Sequence, residues 1–131
     1  MTRETGTPRP TNTELEILRI VWDLQPCTVG QIHERIVRSR RTNYSTTMKM
    51  LSLMLGKGLL TRDETVSPHR YRAKFTRQRA RTSLLSDLID SVYEGSAMSV
   101  ALQALGQSRA APEEIAAARA MLDELERRRR T

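Results

Sequence analysis

Apolar residues recur at helical spacing in several separate segments of the chain. In the first segment, Leu18 and Trp22 belong to an apolar stripe, which predicts a helix over residues 13–24 with Trp22 as a core anchor. Thr13 and Glu16 have the spacing of a capping box at the start of this helix. The first segment therefore predicts an amphipathic helix that packs on a core.

The second segment repeats the same arrangement. Thr28 and Gln31 form another capping-box pair, and the apolar residues that follow predict a helix over residues 29–37. Its Val and Ile side chains are expected to face inward, whereas His33 and Arg35 are expected on other faces.

A hydroxyl-rich opening, Tyr-Ser-Thr-Thr, precedes the third segment, for which we predict a helix over residues 45–55 that ends at Gly56-Lys57-Gly58. Ser and Thr reach base edges and phosphates without filling the major groove of DNA, and the N–H groups of a helix start favour phosphate. The inward face is predicted to hold Thr47, Met50, Leu51 and Met54, and the opposite face Ser45, Thr46 and Lys49.

Three further apolar residues make this third helix more apolar than a solvated recognition helix should be. They are Met48, Leu53 and Leu55, and contact with another element is one explanation.

Two short strands are predicted next, over residues 59–63 and 69–74, around a turn at residues 66–68. Arg70, Arg72 and Lys74 alternate along the second strand and therefore share one face. Such a face suits phosphates, but it is equally typical of an ordinary solvent face. The two strands predict a β-hairpin, which would form the wing.

The carboxy-terminal region is predicted to be helical, with helices over residues 76–93 and 97–105 and a last helix that begins at Pro112. Its apolar stripes exceed what short helices can hide on a small winged helix, which predicts a dimer interface. The residues assigned to dimerisation are Leu84, Leu85, Leu88, Ile89, Val92, Ile115, Leu122 and Leu125.

Charge is distributed unevenly along the 131 residues. The chain has 22 Lys and Arg against 15 Asp and Glu, and residues 1–75 hold 13 of these basic residues and 7 of the acidic ones. A basic half is typical of a polyanion partner, although charge alone leaves a merely basic protein equally open. The basic run at residues 38–43 lies directly before the hydroxyl-rich helix start, and this placement favours a phosphate clamp.

Several function classes find no support in the sequence. The single cysteine, Cys27, excludes an intramolecular disulfide, and with His33 and His69 it forms no motif for catalysis or metal binding. We therefore predict no enzyme activity, no metal and no cofactor. No apolar run approaches a membrane span, so the protein is expected to be cytoplasmic without membrane insertion.

The order of predicted elements is that of a mainly α protein, with a winged helix-turn-helix of three helices and a small β-hairpin followed by a helical dimerisation region. The predicted boundaries are residues 1–11 for a disordered arm, 12–75 for the winged helix and 76–131 for the dimerisation domain. Particular sequence segments narrow the choice among winged-helix families. The chain resembles the BlaI/MecI/CopY family of penicillinase repressors in TNTELEILRIVWDL (11–24), TVGQIHERI (28–36), YSTTMKML (44–51), GKGLLTR (56–62), PHRYRAKFTR (68–77) and DLIDSVYEGS (87–96).

The resemblance implies a homodimeric repressor that places its third helix in the major groove of each half of a palindromic, double-stranded operator. Ser45 and Thr46 fall where the family makes its groove contacts, with Tyr44 and Lys49 beside them. Together with the basic linker and the wing, the residues assigned to DNA binding are Arg38, Arg40, Arg41, Asn43, Tyr44, Ser45, Thr46, Lys49, Arg70 and Arg72.

The resemblance leaves the inducing signal open. In the resistance branch of the family, a membrane sensor peptidase acts indirectly by triggering cleavage in the dimer region. The copper branch uses a carboxy-terminal cysteine cluster, which this chain lacks. The chain also carries Leu53 and Leu55 where charged residues are common in the family, and a winged helix that binds protein instead of DNA is the alternative function.

Overall fold

The computed structural model of the protein describes residues 8–130, so most of the predicted amino-terminal arm (residues 1–7) lies outside the described residues. The described part divides into two compact units, with the boundary inside one helix between Asp87 and Leu88. The predicted fold class is confirmed: the protein is mainly helical with one small antiparallel hairpin. Its elements are α1 (Asn12–Leu24), α2 (Val29–Ile36), α3 (Tyr44–Lys57), β1 (Leu60–Asp63), β2 (Arg70–Ala73), α4 (Arg77–Val92), α5 (Ala97–Gly106) and α6 (Pro112–Arg129).

Helix α1 begins earlier than its sequence predicts, because a different capping box is used. Thr11 is the N-cap: its side chain accepts a hydrogen bond from the N–H of Glu14, and Glu14 accepts one from the N–H of Thr11. The prediction of Thr13 with Glu16 was wrong. Both pairs have the required spacing, but only Glu14 points into the protein, where it is buried.

The caps of α2 and α3 fix the ends of the helix-turn-helix. Thr28 and Gln31 form the predicted box at the start of α2. Helix α3 begins one residue before the predicted start, since Asn43 caps it by accepting a hydrogen bond from Thr46 N–H at 2.8 Å. It runs through Lys57 and ends where Gly58 adopts a left-handed φ of 82°, a conformation that glycine takes without strain.

The core of the first unit is aliphatic and lies between the three helices and the hairpin. Val21 of α1, Ile32 of α2 and Leu51 of α3 are fully buried at its centre. The other buried apolar members are Ile17, Leu18, Ile20, Cys27, Ile36, Met54, Leu59, Leu60 and Tyr71. This core packs against the inner face of α3 through Leu51 and Met54 and leaves the outer face of that helix exposed to solvent.

The wing is slightly shorter than predicted but has the predicted hairpin form. β1 and β2 pair antiparallel, with Leu60 opposite Ala73 and Asp63 opposite Arg70. On its other side β2 pairs with the α1–α2 connection, where Cys27 and Tyr71 exchange backbone hydrogen bonds of 2.7 and 3.1 Å. The wing is therefore anchored to the helical core through β2.

Trp22 joins α1 to the beginning of α4 within the first unit. Its indole N–H donates to the carbonyl of Phe75 at 2.9 Å, and the guanidinium of Arg77 lies over its ring. Arg77 also pairs with Asp23 at 2.8 Å. Trp22 is thus a half-buried anchor between elements, in agreement with its predicted structural role.

The second unit holds the end of α4, then α5 and α6. Gly95, with a φ of 86°, separates α4 from α5. Pro112 opens α6 as predicted, with Glu113 and Glu114 in the first turn, near the positive end of the helix dipole. At the other end of α6, Arg127, Arg128 and Arg130 pair with glutamates one turn earlier.

Candidate nucleic-acid interface

One face of α3 carries polar side chains into solvent. Ser45, Thr46 and Lys49 are exposed, whereas Thr47 and Leu51 on the opposite face are buried. This division follows from a helical repeat of 3.6 residues and matches the predicted faces. The beginning of α3 therefore offers hydroxyl groups and an ammonium group on one side.

Ser52 belongs to the same face and was missed in the sequence analysis. It is exposed and lies seven residues after Ser45 and three after Lys49, so the three side chains project in similar directions. Extending the helical spacing by one more turn would have found it.

The apolar residues of α3 divide between the core and the surface. Leu55 is half-buried against the core, which explains its presence. Met48 and Leu53 remain 48% and 56% exposed. Leu53 borders a cavity of about 410 Å³ between α1 and α3, and Arg40 and Thr46 also line that cavity.

The basic linker before α3 is not uniform. Arg38 and Arg41 are exposed. Arg40 is exposed as well, but it pairs with Glu16 at 3.3 Å and donates to the hydroxyl of Thr13 at 3.1 Å. The Arg40 charge is thus partly neutralised within the protein, and Arg38 and Arg41 are the better placed of the three for an external anion.

Asn43 and Tyr44 are both exposed but have internal roles. The Asn43 side chain is occupied by capping α3. The Tyr44 ring makes an edge contact with the ring of His33, whose Nδ1 also lies 2.8 Å from the hydroxyl oxygen of Thr47. The sequence predicted no role for His33, because a contact between two helices leaves no mark in local spacing.

The wing presents a basic face. Arg70 and Arg72 alternate with the buried Tyr71, so the two guanidinium groups lie on the opposite side of β2 from the core. Arg72 is exposed and Arg70 is partly buried. Lys74, just beyond β2, is exposed as well.

Two titratable groups near these elements have structural roles. Burial raises the pKa of the Cys27 thiol to about 11. The thiol therefore stays protonated at neutral pH and is unreactive, because the thiolate is the nucleophilic form. The pKa of Asp23 is lowered, chiefly by the hydrogen bond from Arg77 and also by the nearby charge of Arg35, although partial desolvation acts in the opposite direction. Among residues 8–130, no cluster of His, Cys, Asp and Glu is arranged to hold a metal ion.

Comparison with known proteins decides the family. Residues 10–124 match the model of the penicillinase repressor family. The chain belongs to this family. Penicillinase repressors are DNA-binding transcriptional regulators with a helix-turn-helix, and they are not a class of enzymes. A comparison with curated proteins finds no match.

In this penicillinase repressor family member, most residues assigned to dimerisation are solvent-exposed in the single chain. Leu84 and Ile89 are half-buried, and Leu84 lies beside Trp22 in the first unit. The exposed members are Leu85, Leu88, Val92, Ile115, Leu122 and Leu125. No helix in the described part of the chain has the length and apolar character to cross a membrane.

Proposed function

We propose that the protein is a homodimeric repressor that binds a palindromic operator in double-stranded DNA, with α3 of each subunit in the major groove. The observation that carries the proposal is the polar outer face of α3, formed by the exposed Ser45, Thr46 and Lys49 opposite the buried Thr47 and Leu51. Such a helix start can bring short hydroxyl side chains to base edges.

Each basic element has a separate role in the proposed complex. Arg38 and Arg41 contact phosphates before α3, and Arg70 and Arg72 contact phosphates from the wing. Arg40 contributes less than its charge suggests, because Glu16 competes with the phosphate for it. Asn43 caps α3 by accepting the N–H of Thr46 and so fixes the helix start that faces the DNA.

The second unit supports the dimer part of the proposal. In residues 88–130 no residue is buried, although Leu88, Val92, Leu122 and Leu125 are large apolar side chains. Burying each such side chain is worth roughly 1.5–3 kcal/mol, so a second copy of the chain would stabilise this unit strongly. The dimer would also align two reading helices with the two halves of the operator.

Release from DNA is proposed to follow an inducing signal that acts on the dimer. In the resistance branch of the family this signal is cleavage triggered by a membrane sensor peptidase. Cleavage in residues 88–130 would remove the dimer contacts and with them the simultaneous binding of two half-sites. A partner of this kind, like DNA itself, implies action in the cytoplasm.

The second candidate function is a winged helix that binds a protein. The exposed apolar side chains of Met48 and Leu53 on α3 favour it. A gel-shift assay on the upstream region of the protein's own gene separates the two functions. The repressor requires a discrete complex that survives excess random DNA, whereas the protein-binding module predicts equal competition by random and upstream DNA.

A further inference from the structure

His33 of α2 touches the beginning of α3 in two ways. Its Nδ1 lies 2.8 Å from Oγ1 of Thr47, and its ring meets the Tyr44 ring edge-on, with centroids 5.5 Å apart and planes at 81°. Both contacts join α2 to the beginning of α3.

Thr47 connects His33 to the cap of α3. Its hydroxyl is buried and also lies 3.4 Å from the carbonyl oxygen of Asn43, to which it can donate. Asn43 in turn accepts the N–H of Thr46. The imidazole therefore supports the first turn of α3 through a buried hydroxyl, a place where hydrogen bonds resist exchange with water.

Tyr44 would otherwise be a poorly held side chain. It is the first residue of α3 and is 48% exposed, so its rotamer is set by few neighbours. An edge-to-face aromatic contact fixes the direction of the ring. A ring fixed before binding loses less entropy on contact with DNA.

We infer that His33 is a positioning residue for DNA recognition: it holds Tyr44 and Thr47 in the geometry that the operator meets, without touching DNA itself. This inference rests on the proposed function and adds to it a residue on a different helix. It explains why an imidazole stands between two helices where an aliphatic residue would pack.

Two variants separate the two contacts of His33. His33→Asn keeps a hydrogen-bonding group near the position of Nδ1 but removes the ring that meets Tyr44. His33→Phe keeps a ring but leaves the Thr47 hydroxyl without its imidazole partner. His69→Asn is the matched control, since His69 is an exposed histidine outside this cluster.

The test measures the affinity of each variant for a duplex that the wild type selects from a random pool, and the thermal stability of each variant. Tyr44→Ala is also introduced into the wild type and into both His33 variants, which gives double-mutant cycles. Loss of one such contact should lower the affinity for DNA by about twofold to tenfold per subunit. We expect both variants to bind the selected duplex more weakly by this factor, or by its square if both subunits of a dimer are affected. Their affinity for random DNA should change by less than about twofold. His69→Asn should bind both duplexes as the wild type does.

Coupling distinguishes positioning from simple destabilisation. Tyr44→Ala should weaken DNA binding less in the His33→Asn background than in the wild type. In the His33→Phe background, which keeps a ring beside Tyr44, Tyr44→Ala should weaken binding almost as much as in the wild type. Equal effects of Tyr44→Ala in all three backgrounds would overturn the inference. So would full affinity of both His33 variants.

A second measurement does not depend on DNA. The NMR spectrum of the free wild type should contain a nuclear Overhauser effect between the ring protons of His33 and Tyr44, and its absence would overturn the geometry. If the wild type selects no sequence, the proposed function fails and the inference with it. If selection succeeds and the variants retain affinity, the inference alone fails.

Discussion

The carboxylate of Glu14 accepts a hydrogen bond from the Lys57 ammonium at 2.6 Å, which ties the start of α1 to the end of α3. The same oxygen accepts the N–H of Thr11 at 2.8 Å and so completes the cap of α1. Glu14 is buried, with its side chain only 7% exposed, whereas Lys57 keeps 37% of its side chain in solvent. One buried carboxylate thus serves both the cap of α1 and the anchoring of α3.

Glu14→Gln should lower the free energy of unfolding at pH 7 by about 1–2 kcal/mol, because the amide can still cap α1 but cannot pair with the Lys57 charge. Burial raises the pKa of Glu14, but hydrogen bonds from Lys57 and Thr11 outweigh it and leave the pKa below the ordinary value of 4.5. A lowered pKa in the folded state means that this stabilisation is present above about pH 4.5 and is lost as the pH falls through the folded value.

Urea unfolding of the wild type and the variant at pH 7 and pH 3 measures both effects. The difference between the two proteins should be smaller at pH 3. Glu113→Gln, at an exposed position in the first turn of α6, serves as the control and should change little at either pH. An equal difference at both pH values would mean that the ionised Glu14 contributes nothing to the fold.

Local patterns predicted the elements well, and tertiary partners explain what they missed. Thr11 with Glu14 and Thr13 with Glu16 fit the same capping pattern. What favours the first pair is Lys57, which is 43 residues away from Glu14 in the chain. The end of α3 was predictable because Gly58 supplies a local signal, a left-handed φ, that needs no partner.

The candidate site divides in the same way. The faces of α3 follow from helical spacing, so Ser45 and Lys49 were predictable as exposed residues. The pairing of Arg40 with Glu16 was not, because it joins the linker to α1 across 24 residues of sequence. His33 was missed for the same physical reason, since its partner Thr47 is a neighbour only after α2 and α3 pack together.

The protein should be a dimer in solution at micromolar concentration. Most of the large apolar side chains in residues 88–130 are 39–63% exposed within the chain, and we expect their burial against a second copy to outweigh the entropy of association. Leu88→Asp should give monomers by multi-angle light scattering, because a buried carboxylate is costly without a partner. The conservative change Leu88→Met should leave the dimer intact, and a monomeric wild type would refute the proposal.

DNA binding should depend strongly on salt. If about four of Arg38, Arg41, Lys49, Arg70 and Arg72 engage phosphates in each subunit, a dimer releases about eight counterions, and the logarithm of the binding constant should fall with log salt at a slope near −7. Fluorescence anisotropy between about 50 and 200 mM salt gives this slope. A value shallower than about −3 would show that these residues are not the DNA surface.

Thr46→Ala tests most directly whether α3 reads the operator. Thr46 is exposed at the start of α3 and can offer a hydrogen bond and a methyl contact to a base edge. Its Cβ is kept in alanine, and its N–H remains capped by Asn43, so the helix start is preserved. Arg41→Ala is the matched comparison, since phosphate contacts carry no sequence information.

The decisive measurement is the affinity of wild type, Thr46→Ala and Arg41→Ala for a selected operator duplex and for a random duplex of equal length. Thr46→Ala should cost about 1–3 kcal/mol on the operator and little on random DNA, whereas Arg41→Ala should weaken both nearly equally. If Thr46→Ala weakens both duplexes by the same factor, α3 does not read the sequence, and the protein-binding alternative is favoured.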